Sequence, residues 1–412
     1  MNVVNNQSSF KKARNTILLV FFISIVFGVG YFLGYKGFLL SIEKFPIVTI
    51  NRSQPPEKEL NFSLFWDVWD RLEGSYYDKS KIKESEMVYG AIKGMVSSLG
   101  DPYTVFFTPG ENRIVQEDLN GNFEGVGIQL DFKDSVLTVV SPLPDTPAEK
   151  AGVKAGDQII KITDIGKRVE KGTSGMSLQE AVALIRGERG TKVTLTLVRE
   201  EVTGPFDIDI ARGSINVASI KLEFVGDRGE IAHIKVLKFS GETKSEWQSA
   251  VNEIISRNVK GLILDLRNNP GGYLMGAVDI ASEFVSDGTV VIEEWSDGKR
   301  QEYPVYGNGK LYKAPLVVLV NEGSASASEI LAGAISDHKR GKIVGTVTFG
   351  KGTIQEPQEL TSGSGLHLTI SKWLTPNGSW LNGTGLEPDV IIEDNEETSI
   401  DEELAKAIEL LS

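Results

Sequence analysis

Gly323-Ser-Ala-Ser-Ala-Ser-Glu-Ile-Leu-Ala-Gly-Ala334, followed by Phe349-Gly-Lys-Gly-Thr-Ile-Gln355, decides how this chain is read. Small residues around Ser326 let the backbone turn sharply, and the apolar run from Ile330 begins a helix. A hydroxyl at a helix start lies beside backbone N–H groups that have no partner within the helix, and these suit an oxyanion. Ser326 is therefore a candidate nucleophile. A lysine can serve as its base only if burial lowers its pKa from about 10.4 towards neutrality, a shift of roughly 3 units or about 4 kcal/mol. Lys351 follows the apolar run Ile343–Phe349, and Gln355 lies four residues on, on the same face if the segment is extended. A glutamine can orient the amine without adding a negative charge that would keep it protonated.

Other readings compete for the same residues. Ser326 and Glu329 form an S-x-x-E capping box, which a purely structural helix start also uses. Gly345 to Lys351 nearly matches a phosphate-binding loop, but Gly352 stands where a Ser or Thr should ligate magnesium, and Pro357 follows where a helix should run. Nucleotide binding is set aside. The three histidines give no obvious base: His338 lies about 18 Å along the helix from Ser326, and His233 and His367 sit in strand patterns that read as packing.

Several further motifs occur in order: Gly100-Asp-Pro-Tyr-Thr-Val-Phe-Phe107, Leu264-Asp-Leu-Arg-Asn-Asn-Pro-Gly-Gly272 and Thr375-Pro-Asn-Gly-Ser-Trp-Leu-Asn-Gly-Thr-Gly-Leu-Glu-Pro-Asp389. With the two segments above, they make the chain after its first 60 residues resemble the carboxy-terminal processing peptidases, or tail-specific proteases. The resemblance implies Ser326 as nucleophile, Lys351 as base and Gln355 as its orienting amide. It also implies an oxyanion hole from the N–H of Ala327 and that of Gly271 or Gly272, and it needs no metal or other cofactor.

The segment from Asn120 to Val202 alternates strands and turns, with a helix at Ser177–Gly187, and resembles a PDZ domain. Gly125, Val126, Gly127 and Ile128 match its carboxylate-binding loop, where backbone N–H groups converge on a terminal carboxylate while the peptide adds to the sheet edge. A dinucleotide-binding loop is the rival, but Gly121-x-x-x-Gly125-x-Gly127 leads into a strand-type run. By resemblance, Arg186 at the end of the PDZ helix has a regulatory role, linking peptide binding to the protease body. A helix C-terminus also favours a cation there on electrostatic grounds alone.

A net charge of −13 over 412 residues argues against a nucleic-acid partner, and the absence of cysteine excludes disulfides and thiolate metal sites. Lys11, Lys12 and Arg14 precede an uncharged apolar run from Ile17 to Tyr35, long enough to cross a bilayer, so an uncleaved signal anchor with a cytoplasmic N-terminus and an exported body is expected. A cleaved signal peptide, using Gly28-Val-Gly30, competes with it.

The expected fold is multidomain α/β. A cytoplasmic tail (1–15), a membrane anchor (16–36) and a linker (37–60) precede a helical region (61–115) whose aromatic stripe reads as core. A β-rich PDZ domain (116–204), a crotonase/Clp-protease-like α/β core (205–395) and a C-terminal helix (396–412) follow. The helical region and the C-terminal helix are candidate homodimer elements. The expected function is a membrane-anchored serine endopeptidase whose substrates are unfolded proteins or peptides with free apolar C-termini. A catalytically silent PDZ scaffold is the alternative.

Overall fold

The structure is a computed structural model that describes residues 6–35, 38–42, 46–50, 61–133, 135–176, 178–200, 202–392 and 400–412. These fall into two compact units, Met1–Met87 and Val88–Ser412.

In the first unit a 30-residue helix, Asn6–Tyr35, contains the stretch Arg14–Phe32 with mean hydropathy 2.1 and no buried residue. By length and composition this stretch can cross a membrane, and a signal sequence meets the same criterion. Within the expected linker, Phe38–Ile42 and Pro46–Ile50 pair antiparallel, while residues 51–60 lie outside the described residues. The helix Ser63–Ser75 corrects one expectation. Its aromatic stripe is not core: the helix buries none of its residues, and Trp66 is 51% exposed, stacked edge-on against Phe65 and Trp69.

The second unit begins inside the helix Glu84–Ser97, so the later part of the expected helical region belongs to the catalytic body. The central sheet runs in the order Ile220–Val225, Ile231–Val236, Gly261–Asp265, Leu316–Val320, Lys342–Gly345, Val390–Ile391, and is parallel except at its first pair. Every residue of Gly261–Asp265 and Leu316–Val320 is buried, as expected for parallel strands covered on both faces. Alternate side chains sort the two layers. Ala232, Ile234, Leu262 and Leu264 pack with Trp247, Val278 and Leu331 of the helices Thr243–Arg257, Leu274–Phe284 and Ala327–Asp337. Ile231, Ile263, Val317 and Leu319 pack under Ala407 of the C-terminal helix Glu402–Leu411.

A second, antiparallel sheet runs Arg300–Pro304, Thr289–Trp295, Gly365–Leu374, Thr353–Glu359, and the short strand Val105–Phe107 pairs with Gly365–His367. The PDZ module has its own sheet, ordered Phe206–Ala211, Lys192–Val198, Gln158–Asp164, Val136–Pro142, Ile128–Lys133, and a separate core around Ile159, Ile162, Leu195 and Leu197. Its helix is Leu178–Ile185; Ser177 lies outside the described residues. Where the PDZ module meets the body, Asn122–Gly125 pairs with Gly213–Asn216.

The C-terminal helix is held by charge as well as by apolar contact. Asp265 is fully buried and accepts from His233 and from the Arg267 guanidinium, which also donates to Asp401 and Glu403. Burial alone would raise the Asp265 carboxyl, but hydrogen bonds from His233 and Arg267 hold it far below the usual aspartate range. Arg267→Ala, which strands Asp265 and Glu403 in the interior, is expected to cost about 3–5 kcal/mol in urea denaturation. An unchanged midpoint would show that this network does not hold the helix.

Candidate active site

The strand Leu316–Val320 is an interior strand of the central sheet, and from its end the chain turns through Asn321–Ala325 into the helix Ala327–Asp337. Ser326 sits on the turn at φ 56° and ψ −114°, a conformation that costs a non-glycine residue of order 1–3 kcal/mol. The flanking serines are tied down. Ser324 Oγ donates to the Leu266 carbonyl at 2.8 Å and Ser328 Oγ to the Asn269 carbonyl at 2.9 Å, both with the residue fully buried. Ser326 alone of the three lines an open cleft of about 670 Å³, together with Gly271, Gly272, Lys351 and Gln355.

The glycine turn approaches this elbow too closely for any side chain. A Cβ on Gly271 would lie 2.8 Å from Ser326 Cβ, and one on Gly272 would lie 2.1 Å from the Phe239 carbonyl oxygen. The Gly271 N–H donates to Asn269 Oδ1 at 2.9 Å. That leaves Gly272, whose N–H has no hydrogen-bond partner among the described residues, as the free donor of the pair. Asn269 is fully buried and braces the elbow as well, because its carbonyl accepts from the Ala325 N–H.

Glu329 closes the arrangement. It is fully buried, and its carboxylate accepts from the N–H groups of Ser326, Gly350 and Lys351 and from the Thr348 hydroxyl, at 2.6–2.9 Å. One side chain thereby fastens the serine turn to the lysine loop. Burial pushes the Lys351 amine below the ordinary lysine value, against the opposing charges of Asp101 and Glu329. Its Nζ lies 4.8 Å from the centre of the Tyr103 ring. Gln355 donates through Nε2 to the hydroxyls of Thr353 and Thr369, which leaves its Oε1 as the end suited to receive an amine. Among the described residues no hydrogen bond joins Ser326 to Lys351 or Lys351 to Gln355, although all three share the cleft.

A family model described as peptidase family S41 matches residues 230–392, one described as a PDZ domain matches 138–199, and one described as the N-terminal domain of the activating protease CtpB matches 30–109. The carboxy-terminal processing protease CtpA of Bacillus subtilis is 39% identical over 326 residues, which is 79% of this chain and 67% of that protein. The carboxy-terminal-processing protease of Bartonella bacilliformis is 37% identical over 354 residues, 84% of this chain and 78% of that one. This chain belongs to the carboxy-terminal processing peptidases. It is a serine protease with a PDZ domain, a hydrolase acting on peptide bonds. Among solved structures, the photosystem II D1 C-terminal processing protease aligns over 83% of this chain and 96% of its own, at 30% identity and a TM-score of 0.49.

In this peptidase the PDZ loop Gly125–Ile128 leads into Ile128–Lys133, an edge strand against which the helix Leu178–Ile185 packs. An edge strand beside a helix is the geometry that peptide addition to a sheet requires. Arg186 stacks over the Phe123 ring at 4.2 Å and donates to Glu117 at 3.3 Å, on the helix Pro109–Asn120 whose residues Asp118 and Leu119 line the catalytic cleft. His338 caps the far end of the elbow helix, where its Nε2 meets the Thr289 carbonyl. His367 lies in a strand with its ring packed edge-on against Phe107, as expected, and it also lines the cleft, which was not foreseen. Its strand alternation hid that position, because both faces of this sheet are partly covered. A larger cavity, about 950 Å³, lies between residues 93–115 and the PDZ helix, and it contains neither Ser326 nor Lys351.

Glu329→Ala removes the acceptor for three N–H groups and one hydroxyl at once. It is expected to cost about 2–4 kcal/mol in urea denaturation and to abolish proteolysis even in the folded fraction. Wild-type stability and turnover in this variant would show that the elbow and the lysine loop hold their places without it.

Proposed function

We propose that this peptidase is an endopeptidase that seizes the free apolar C-terminus of an unfolded protein in its PDZ groove and cuts upstream through an acyl-enzyme on Ser326. The observation that carries the reading is the division among the serines: Ser324 and Ser328 are bonded into the fold, while Ser326 opens onto the cleft that holds a desolvated lysine. Neutral Lys351 takes the Ser326 proton as Oγ attacks the scissile carbonyl carbon. The N–H groups of Gly272 and Ala327 bind the oxyanion, with Gly271 serving to admit the backbone so close. The lysine ammonium then gives its proton to the leaving amine. A water molecule, deprotonated by Lys351, releases the new carboxyl end, and Gln355 Oε1 orients the amine throughout.

Around this chemistry, Gly125 to Ile128 cradle the terminal carboxylate of the tail. Arg186 conveys the occupancy of the groove to the helix Pro109–Asn120 and so to the cleft rim, a role supported by its bond to Glu117. The apolar helix is read as a signal anchor with its N-terminus in the cytoplasm and the catalytic body exported, on the strength of Lys11, Lys12 and Arg14 before it. The exposed aromatic helix is read as a homodimer element, whereas the apolar face of the C-terminal helix is taken up by its own sheet.

Lys351→Arg is expected to abolish turnover, because guanidinium stays protonated in proteins; half of wild-type activity in this variant would remove lysine from the mechanism. His367→Asn is expected to keep proteolysis within about threefold, whereas its loss in a folded variant would favour a histidine base. Amidating the C-terminus of a substrate should cost about 1–3 kcal/mol, read as a roughly 5- to 150-fold fall in cleavage at subsaturating concentration. Equal cleavage of acid and amide would show that the PDZ groove does not select tails.

A further inference from the structure

The segment Gly100-Asp-Pro-Tyr-Thr104 carries no role in the chemistry above, yet it lies against the base. After the helix Glu84–Ser97 the chain turns through Gly100 at φ 70°. Asp101 then folds back on the chain: Oδ1 accepts from the Tyr103 N–H at 3.0 Å and Oδ2 from the Thr104 hydroxyl at 2.6 Å. Thr104 Oγ1 in turn accepts from the Thr369 N–H at 3.1 Å, and Val105–Phe107 pairs with the same strand. The turn is thereby fixed to the sheet that also carries Gln355. The Thr369 hydroxyl accepts from Gln355 Nε2, so its own proton is available to Asp101, whose carboxylate can only accept. A polar chain thus runs from Gln355 through Thr369 to Asp101, while the Tyr103 ring sits 4.8 Å from Lys351 Nζ.

We propose that Asp101 and Tyr103 are positioning residues for the base: the Tyr103 ring seats the Lys351 amine, and the Asp101 carboxylate fixes the turn that carries this ring and holds the Thr369–Gln355 side of the site. This rests on the reading of Lys351 as the base. The ring of Tyr103 lies against the amine, and the charged or titratable groups that act on it or feel it are Asp101, Glu329, bonded to the lysine backbone, and His367, which shares the cleft lining. An aromatic face and a carboxylate both favour the ammonium form, and burial favours the amine. The loop therefore places the lysine while opposing its neutralisation. The Asp101 carboxyl answers in kind. Burial would raise it, but the hydroxyls of Thr104 and Thr369, the Tyr103 N–H and the Lys351 charge together hold it below the ordinary aspartate range.

The test is the pH dependence of kcat/KM, with kcat and KM resolved separately, for the full chain in detergent cutting an unfolded substrate. Asp101→Asn keeps the shape and removes the charge. It is expected to move the acid limb to lower pH, because the lysine loses a neighbour that favours its protonated form, with the plateau within about threefold of wild type. Tyr103→Leu is expected to lower kcat about tenfold with KM within about twofold, and Tyr103→Phe, which keeps the ring, to recover kcat to within about threefold. An unmoved acid limb in Asp101→Asn, or wild-type kcat in Tyr103→Leu, overturns the proposal. If Tyr103→Leu does not fold, as read by melting, the Asp101→Asn limb decides. Lys351→Ala in the same assay separates the two levels: turnover retained there defeats the base reading itself, whereas a dead Lys351→Ala with an unmoved Asp101→Asn limb defeats only the role of the loop.

Discussion

The Glu329 carboxylate is the contact on which the rest of the site depends. The elbow helix and the loop Gly350–Gly352 come from different elements, and the capping box that starts the helix fixes nothing in the loop by itself. A single buried carboxylate that accepts from Ser326, Thr348, Gly350 and Lys351 gives both a common reference point. It also draws four donors into an interior where they would otherwise lack partners, so displacing either segment leaves unsatisfied polar groups behind. The unfavourable backbone conformation of Ser326, of order 1–3 kcal/mol, is offset by this bonding and by the brace from Asn269.

The electrostatic balance at Lys351 follows from the same construction. Two acidic side chains lie close enough to favour its protonation, yet burial wins and the amine falls below the ordinary lysine value. Of the two, Glu329 has its oxygens occupied by N–H and O–H donors, and Asp101 has its oxygens turned to Tyr103 and Thr104. Each carboxylate is thus largely answered by its own hydrogen bonds, which lets burial prevail. The proposed lysine base requires no histidine, and the apolar part of the cleft wall, where Ile330, Leu274 and Trp373 lie, supplies the low polarity it needs.

Much of this was legible in the sequence because it is local. The sharp turn at Ser326, the glycines that admit it, the continuous apolar strands and the PDZ edge strand each follow from residues within one element or its neighbour. The capping box read from Ser326 and Glu329 is present in the structure, but it is only part of what Glu329 does. Ser326 N–H does donate to Glu329, but the other bonds of Glu329 reach residues 19 to 22 positions away, and no spacing rule announces them. Distance along the chain also hid His367, which shares the cleft with Lys351, whereas the bond of Asn269 that decides which glycine N–H remains free spans only two residues, an Asx turn that Asn-Pro-Gly could have announced. The aromatic stripe of Ser63–Ser75 failed as a core signal for the converse reason. Helical spacing fixes which face is apolar, and says nothing about what, if anything, covers it.

The central claim is that Ser326 becomes acylated with Lys351 as its base. It is tested most directly by mixing the peptidase with a chromogenic peptide ester, quenching in acid on the millisecond scale, and locating added mass by peptide mapping. The account predicts an acyl group on Ser326 in the wild-type chain and none in Lys351→Ala. An acyl group on another residue, or ester turnover with no covalent species on Ser326 at a substrate concentration that saturates the enzyme, would contradict it.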